Sequence, residues 1–424
     1  MKTVGIIVEY NPLHNGHVHH FEASKQAAGA ESCVAVMSGH FLQRGEPAVV
    51  NKWARAEMAL HMGADVVIEL PVAYACQPAE WFAYGAVRLL DATGVVDALC
   101  FGSEEGSLEP LSRLAGLLHR EDAAFRSLLQ EELKQGASYP AAYAAAVRRF
   151  GIDNDADGPL PPLDQPNTIL GLHYMLALQR LQSPIIPLTL PRREAGFHQA
   201  DITGTSIASA TALRKLLFGT GWKSPDEAAL RAVAPYVPAY TLDILLREHA
   251  AGRGPLCWEH YARPLFTQLL SRPEEELRQL HEVTEGLEHR IKHSLTQLPP
   301  DTASPVESLL DLLKTKRYTR TKLQRMLLRI LLGHPQQSLS RESLQAGPAC
   351  IRVLGFSSKG RALLKRMRVT ASLPVITRAA AAEDPAWLGM DIRAGAVYSL
   401  GYRELDPSQW QRDFTQPPLQ LDRV

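Results

Sequence analysis

The stretch Val4-Gly5-Ile6-Ile7-Val8-Glu9-Tyr10-Asn11-Pro12-Leu13-His14-Asn15-Gly16-His17, running on to Val18, His19 and His20, decides how the chain is read. Its opening apolar run, rich in β-branched residues, predicts a buried strand. Asn11-Pro12 ends that strand, because proline cannot donate to a ladder and turns its predecessor away from helix. Helical character then begins near His14 and lasts to about Ala28. Two imidazoles and a glycine therefore fall where a strand hands over to a helix N-terminus. Unpaired backbone N–H groups are expected to point outward there, and the helix dipole favours negative charge. Gly16 has no Cβ to keep a ligand from the backbone. The expectation is a polyphosphate site, with His14 and His17, one helical turn apart, donating to phosphate oxygens. The plainer alternative is a capping turn that carries histidines. Its place directly after the first strand, where an open α/β sheet puts its ligand crevice, favours function. A zinc site is disfavoured, since no carboxylate or cysteine stands at ligand spacing from these histidines.

The rest of the first half repeats the strand–helix alternation. Strands are predicted at Ser32–Ser38, Val66–Leu70, Ala98–Phe101 and Ile185–Leu188, and helices at 51–62, 78–90 and up to Arg180. This pattern predicts a doubly wound parallel sheet with flanking helices. Residues from about 110 to 155 form an alanine- and leucine-rich helical insertion, and the catalytic domain is placed at 1–220. From 221 to 424 the reading is a mainly helical, basic domain with a C-terminal extension. Glu104, in the loop after the fourth strand, reads as an exposed acid without a catalytic role.

At 424 residues the chain has room for two or three domains. Its net charge is zero and its pI about 7.3, so the molecule as a whole does not attract polyanions. Local concentrations of charge matter instead. Lys314, Lys316, Arg317, Arg320, Lys322 and Arg325 form one acid-free block, with Tyr318 placed for stacking. Arg352, Lys359, Arg361, Lys365, Arg366 and Arg368 form another. The first block reads equally as a solvated helix face or as a track for RNA phosphates. Ser209, Thr211 and Arg214 open a further helix with phosphate-binding chemistry. A plain hydroxyl N-cap with an exposed arginine is the simpler reading there. Five scattered cysteines without a C-x-x-C pattern, no leader-like start and no membrane-length apolar run predict a reduced, cytoplasmic protein with no membrane contact. No Walker loop, G-x-G-x-x-G or serine or cysteine nucleophile motif is found.

Several stretches together carry a resemblance. The opening motif resembles the signature of the nucleotidyltransferase superfamily that includes class I aminoacyl-tRNA synthetase cores. Residues Met37 to Ala48, Ile68-Glu69-Leu70-Pro71, Phe101 to Glu104, Gln165 to Gly171, Ser206 to Arg214 and Arg352 to Phe356 narrow it. Together they resemble the bacterial tRNA(Met) cytidine acetate ligase family, with His40 standing where asparagine is expected and Leu13 where phenylalanine is usual. The resemblance implies an enzyme that uses ATP, with Mg²⁺, to convert acetate to acetyl-adenylate. It implies transfer of that acetyl group to the N4 amine of the wobble cytidine of elongator tRNA(Met). It also implies a nucleotide site made of Ile7, Val8, Glu9, Tyr10, Asn11, Pro12, Leu13, His14, Asn15, Gly16, His17, Val18, His19, His20, Gly102, Asn167, Arg192 and Arg193, with His14 and His17 catalytic. Two alternatives differ in class: a small-molecule adenylyltransferase of cofactor biosynthesis, and a non-catalytic RNA-binding protein on the same fold.

Overall fold

The opening strand lies mid-sheet, and its alternate residues feed two separate cores. The computed structural model describes residues 1–119, 123–153, 161–163, 165–191, 208–219, 224–381 and 385–421. β1 (Thr3–Val8) is followed by α1 (Asn15–Ala28), β2 (Ser32–Ser38), α2 (Lys52–Met62) and β3 (Val66–Leu70). Next come α3 (Val72–Ala75), α4 (Ala79–Ala92) and β4 (Ala98–Ser103). The expected insertion comprises α5 (Glu109–Leu118), α6 (Ala123–Lys134) and α7 (Tyr139–Asp153), and α8 (Pro166–Arg180) leads to β5 (Ile186–Pro191). β1, β2, β3, β4 and β5 are parallel to their neighbours in the order β5-β4-β1-β2-β3.

Fully buried parallel strands are continuous apolar runs whose side chains alternate between faces. On β2, Cys33, Ala35 and Met37 join the core under α1 and α2, while Val34 and Val36 join the core under α4 and α8. Cys33, Cys76 and Cys100 are buried free thiols, as their apolar surroundings predict. Gly5 lets α4 pack closely on β1, since a Cβ there would lie 2.9 Å from a Leu90 methyl and force it to shift. The chain moves outward from β1 through β2 and β3, then returns to β1's other side with β4. That reversal opens a crevice at the C-terminal ends of β1 and β4.

The second half is helical: α9 (Ala210–Phe218), α10 (Glu227–Ala232), α11 (Ala239–Ala250), α12 (Ala262–Ser271), α13 (Glu274–Arg278), α14 (Leu287–Thr296), α15 (Pro305–Leu313), α16 (Arg320–Leu332) and α17 (Arg341–Gln345). The sequence pattern did not predict the strands beyond α17. β6 (Ile351–Ser357) leads into α18 (Ser358–Thr370), then β7 (Val375–Ile376), α19 (Pro385–Ser399), α20 (Pro407–Trp410), α21 (Arg412–Thr415) and β8 (Leu419–Leu421). β6 adds to the sheet antiparallel to β3, and β7 and β8 pair with β6. A short strand holding Arg352 and Gly355 lacks the period of a half-exposed strand. Only the edge offered by β3 makes it one.

Candidate active site

His14 and His17 cap α1 reciprocally. The His14 side chain accepts the Gly16 N–H through Nδ1 at 3.1 Å, and His17 Nδ1 accepts the His14 N–H at 3.3 Å. The two rings lie against each other with centroids 3.8 Å apart, and Tyr10 meets His17 edge-on at 5.0 Å. An imidazole nitrogen that accepts cannot hold the ring proton, so each neutral ring donates through Nε2. The capping bonds thus set the tautomer that a phosphate oxygen requires. The amides of Gly16 and His17, expected to be bare, are engaged: the first by His14 Nδ1, the second by the His14 carbonyl at 2.8 Å. Histidine is not among the commonest N-caps, and residue pattern alone does not show that its side chain has turned back onto the helix. The site therefore presents paired rings more than naked backbone.

Upstream of the pair, Tyr10 has a left-handed backbone, φ 51°, at a buried position. Such a conformation in a large residue persists only where surrounding structure holds it. The next residue supplies part of that structure. Asn11 Oδ1 accepts the Val49 N–H at 2.7 Å, and the Asn11 carbonyl accepts from Arg214 at 3.2 Å. Asn11 Nδ2 is buried and has no hydrogen-bond partner among the described residues. Arg214 also pairs with Glu46 at 3.3 Å, and the Ser209 hydroxyl accepts the Ala212 N–H at 3.1 Å as N-cap of α9. So the hydroxyl caps its helix as the simpler reading expects. Arg214 departs from that reading: it is drawn in beside the Asn11 turn, not left exposed.

At the end of β4, Glu104 is half-buried and bound, contrary to its expected exposure. Its carboxylate accepts from the Asn167 N–H at 3.1 Å and side chain at 2.7 Å, and from the Thr168 N–H at 2.7 Å and hydroxyl at 2.8 Å. Burial pushes this carboxyl up, but those hydrogen bonds outweigh it and hold the group below its ordinary value. Glu104 thereby seats the start of α8 and the Asn167 amide beside the C-terminal end of β4, the strand that holds Gly102. Arg192 and Arg193 lie outside the described residues.

A set of buried charges beneath the crevice was not picked out from the sequence. Arg55, fully buried, donates to the carbonyls of Glu9 at 2.6 Å, Ser38 at 3.1 Å and Gly39. It thereby ties the loops after β1 and β2 together. The Glu9 carboxylate accepts the Gln43 N–H at 2.7 Å, so Glu9 faces the loop of residues 39–47. Lys52 bonds Glu69 at 2.7 Å and Asp413 at 2.5 Å. Arg352 forms ion pairs with Glu69 at 3.1 Å and Asp413 at 2.6 Å, and donates to the Asp413 carbonyl at 3.2 Å. His40 sits above this quartet against Tyr398, ring centroids 4.6 Å apart. Burial first, then Lys52 and Arg55, keep its pKa well below the usual value, so it is neutral. Glu69 was the available signal: an acid inside an apolar strand needs a buried cation.

The first basic block is largely neutralised. Arg317 pairs with Glu285 at 2.5 Å, and the Tyr318 hydroxyl donates to the same carboxylate at 2.8 Å. Arg320 pairs with Glu307, Arg325 with Glu282 at 3.1 Å, and Lys322 donates to the Glu282 carbonyl at 3.3 Å. Lys314 and Lys316 are exposed and make no ion pair among the described residues. α16 instead braces the crevice loop. A Cβ at Gly45, φ 76°, would strike the backbone of Gln324 and Arg325.

A parallel sheet with a capped His-x-Gly-His turn at its switch point defines the nucleotidyltransferase class. The chain belongs to the HIGH Nucleotidyl Transferase family, whose pattern it matches over residues 1–413. Within it the chain groups with proteins named tRNA(Met) cytidine acetate ligase. That of Acetivibrio thermocellus is 41% identical over 98% of this chain and 99% of its own. That of Bacillus subtilis is 40% identical over 100% and 98%. The crystal structure of Thermotoga maritima TmcAL bound with alpha-thio ATP superposes with a TM-score of 0.87 at 34% identity, covering both chains fully. No described helix is long and apolar enough to cross a membrane.

Proposed function

We propose that this protein is an ATP-dependent acetate ligase that acetylates N4 of the wobble cytidine of elongator tRNA(Met). The observation that carries the reading is the pair of Nδ1-capped imidazoles at the end of β1, in a chain with the relatives just described. An acetate oxygen attacks the α-phosphorus of ATP, the α–β phosphoanhydride bond breaks, and diphosphate leaves. His14 and His17 donate through Nε2 to the phosphate oxygens on which charge grows, which lowers the barrier more than it tightens ground-state binding. Asn167, held by Glu104, presents both donor and acceptor to the nucleoside. Arg214, shared with Glu46, and the Asn11 amide, which has no partner among the described residues, offer N–H donors beside the turn, and Arg192 and Arg193 are assigned to the phosphates as well. Mg²⁺, bound with the triphosphate, would share its charge. Among the described residues no cluster of three ligating side chains would hold it alone, which suits an ion bound chiefly by phosphate oxygens and water. In the second step the cytidine N4 attacks the acetyl carbonyl carbon, the C–O bond to AMP breaks, and the amine proton is lost. The mixed anhydride is already activated, so positioning supplies much of the rate.

The test is twofold. Radiolabelled diphosphate should enter ATP only when acetate is present. Digested tRNA(Met) should gain the mass of one acetyl group on cytidine. Exchange that depends instead on a nucleotide monophosphate ester would establish the adenylyltransferase alternative, and no exchange at all the non-catalytic one. Glu104→Ala is expected to cost about 1–2 kcal/mol as a lost helix cap. It should also raise KM for ATP severalfold with a smaller change in kcat, since Asn167 loses its seat. An unchanged KM in this variant would remove Asn167 from the nucleotide site.

A further inference from the structure

The two basic blocks meet different fates, and the second, Arg352 apart, has no role in the site described above. Arg352 is buried in the ion quartet, but the remainder of the block lies on α18. Lys359, Arg361, Lys365, Arg366 and Arg368 are all exposed there. None of the five makes an ion pair with an acid among the described residues. Arg361 donates to the Gln420 side chain at 3.1 Å, and Arg366 to the Met1 carbonyl at 3.4 Å. The helix contains no acid, and its apolar side is spent inward through Gly360, Leu363 and Met367. Arg361, Lys365 and Arg368 stand four and three residues apart, so they form one outward stripe.

Its position is equally specific. A Cβ at Gly360 would strike the backbone of Asp65, just before β3. At its far end the Thr370 hydroxyl donates to the Thr93 carbonyl at 3.0 Å, after α4. α18 therefore crosses the N-terminal edge of the parallel strands, opposite the edge that carries His14 and Glu104. The length of β1, six residues, puts about 20 Å of sheet between the two surfaces. Five exposed cations that pair with no acid among the described residues, on a neutral protein, call for an external polyanion. An apolar-tipped membrane helix would need a hydrophobic face turned outward, and here Leu363 and Met367 are covered and the isolated Val369 is the only large apolar side chain exposed.

We propose that α18 is a docking surface for the phosphate backbone of the tRNA substrate, contacting an arm of the molecule away from the base being modified. This rests on the reading that the substrate is a tRNA. A folded tRNA is large enough to reach both edges of a single sheet, so one RNA engages the crevice and α18 together. The contacts are to phosphates and supply affinity without base recognition.

The test is the triple variant R361Q/K365Q/R368Q in the full chain. Its side chains are exposed, so thermal unfolding should match the parent. Acetate-dependent diphosphate exchange without tRNA should be unchanged. Binding of tRNA(Met), followed by fluorescence anisotropy, should weaken at least tenfold at low salt, and the slope of log affinity against log salt should fall by about two. An unchanged affinity and slope would overturn the proposal. So would loss of binding to anionic phospholipid vesicles with tRNA binding intact, since that result assigns the surface to a membrane. If the parent protein itself shows no acetate-dependent exchange, the acetate reading fails, while the binding comparison still decides the role of α18.

Discussion

Replacing His14 by alanine is expected to lower acetate-dependent exchange of diphosphate into ATP by about a hundredfold or more, the usual consequence of losing one donor aimed at developing charge. The loss has two sources that separate cleanly. His14 also caps α1, and an absent N-cap costs about 1 kcal/mol of stability. His14→Asn restores a side-chain acceptor for the Gly16 N–H, and His17→Gln restores the reciprocal bond to the His14 N–H. Both variants should regain the parent's unfolding midpoint, and neither should regain exchange, because neither returns an Nε2–H donor at the ring's position. Full exchange in both would reduce the histidines to helix caps and leave the phosphates to other groups.

The second large effect concerns the buried charges. Asp413→Ala removes one of the two carboxylates that pair directly with Lys52 and Arg352, and leaves the two cations paired with Glu69, with buried Asp391 close by. An uncompensated buried charge of this kind costs about 3–5 kcal/mol, measured as a shift of the urea midpoint at constant slope. Glu69 and Gly39 lie against each other, a Cβ on the glycine falling 2.7 Å from Glu69 Oε1. The crevice loop should therefore loosen as well, and exchange should fall along with stability. Replacing all four charged residues by apolar side chains of similar size should restore much of the stability, because it removes the desolvation cost along with the attraction. The quartet also carries a pH signature. Burial pushes the Asp413 carboxyl up, but Lys52 and Arg352 overcome this and hold it below its ordinary value. A carboxyl whose folded value is depressed stabilises fully above its unfolded value, near pH 4, and the contribution is lost as pH falls through the folded value. Acid unfolding of the parent should thus be steeper below about pH 4 than that of the all-apolar variant. Parallel acid transitions would show that the cluster is not what titrates.

The amino-acid order alone was enough for the first half of the molecule. A run such as Ser32-Cys33-Val34-Ala35-Val36-Met37-Ser38 can be satisfied only as a strand buried on both faces, and it forms over those residues. Alternation of such runs with helices leaves few topologies open, and the switch point beside β1 follows from them. His14 and His17 were legible because a strand, a proline and a glycine placed them within a few residues of each other. Those are local constraints, carried by backbone preference and side-chain period. Glu104 was misread because its partners, Asn167 and Thr168, arrive from 63 and 64 residues away.

Charge was decided by the tertiary structure. The acid-free run from Lys314 to Arg325 reads equally as a solvated helix face or as an RNA track, yet Glu282, Glu285 and Glu307 close on Arg325, Arg317 and Arg320 from other elements. Lys52 finds Asp413 across 361 residues of chain, and Arg352 becomes a buried strand residue because β3 offers an edge. Coulomb attraction depends on distance in space and on the surrounding dielectric, neither of which is written in residue order. In the first half, strand and helix were therefore set by neighbours along the chain, whereas β6 needed the edge of β3. Which cations stand free to meet an anion was set only once the sheet had closed and its last helices had folded against it.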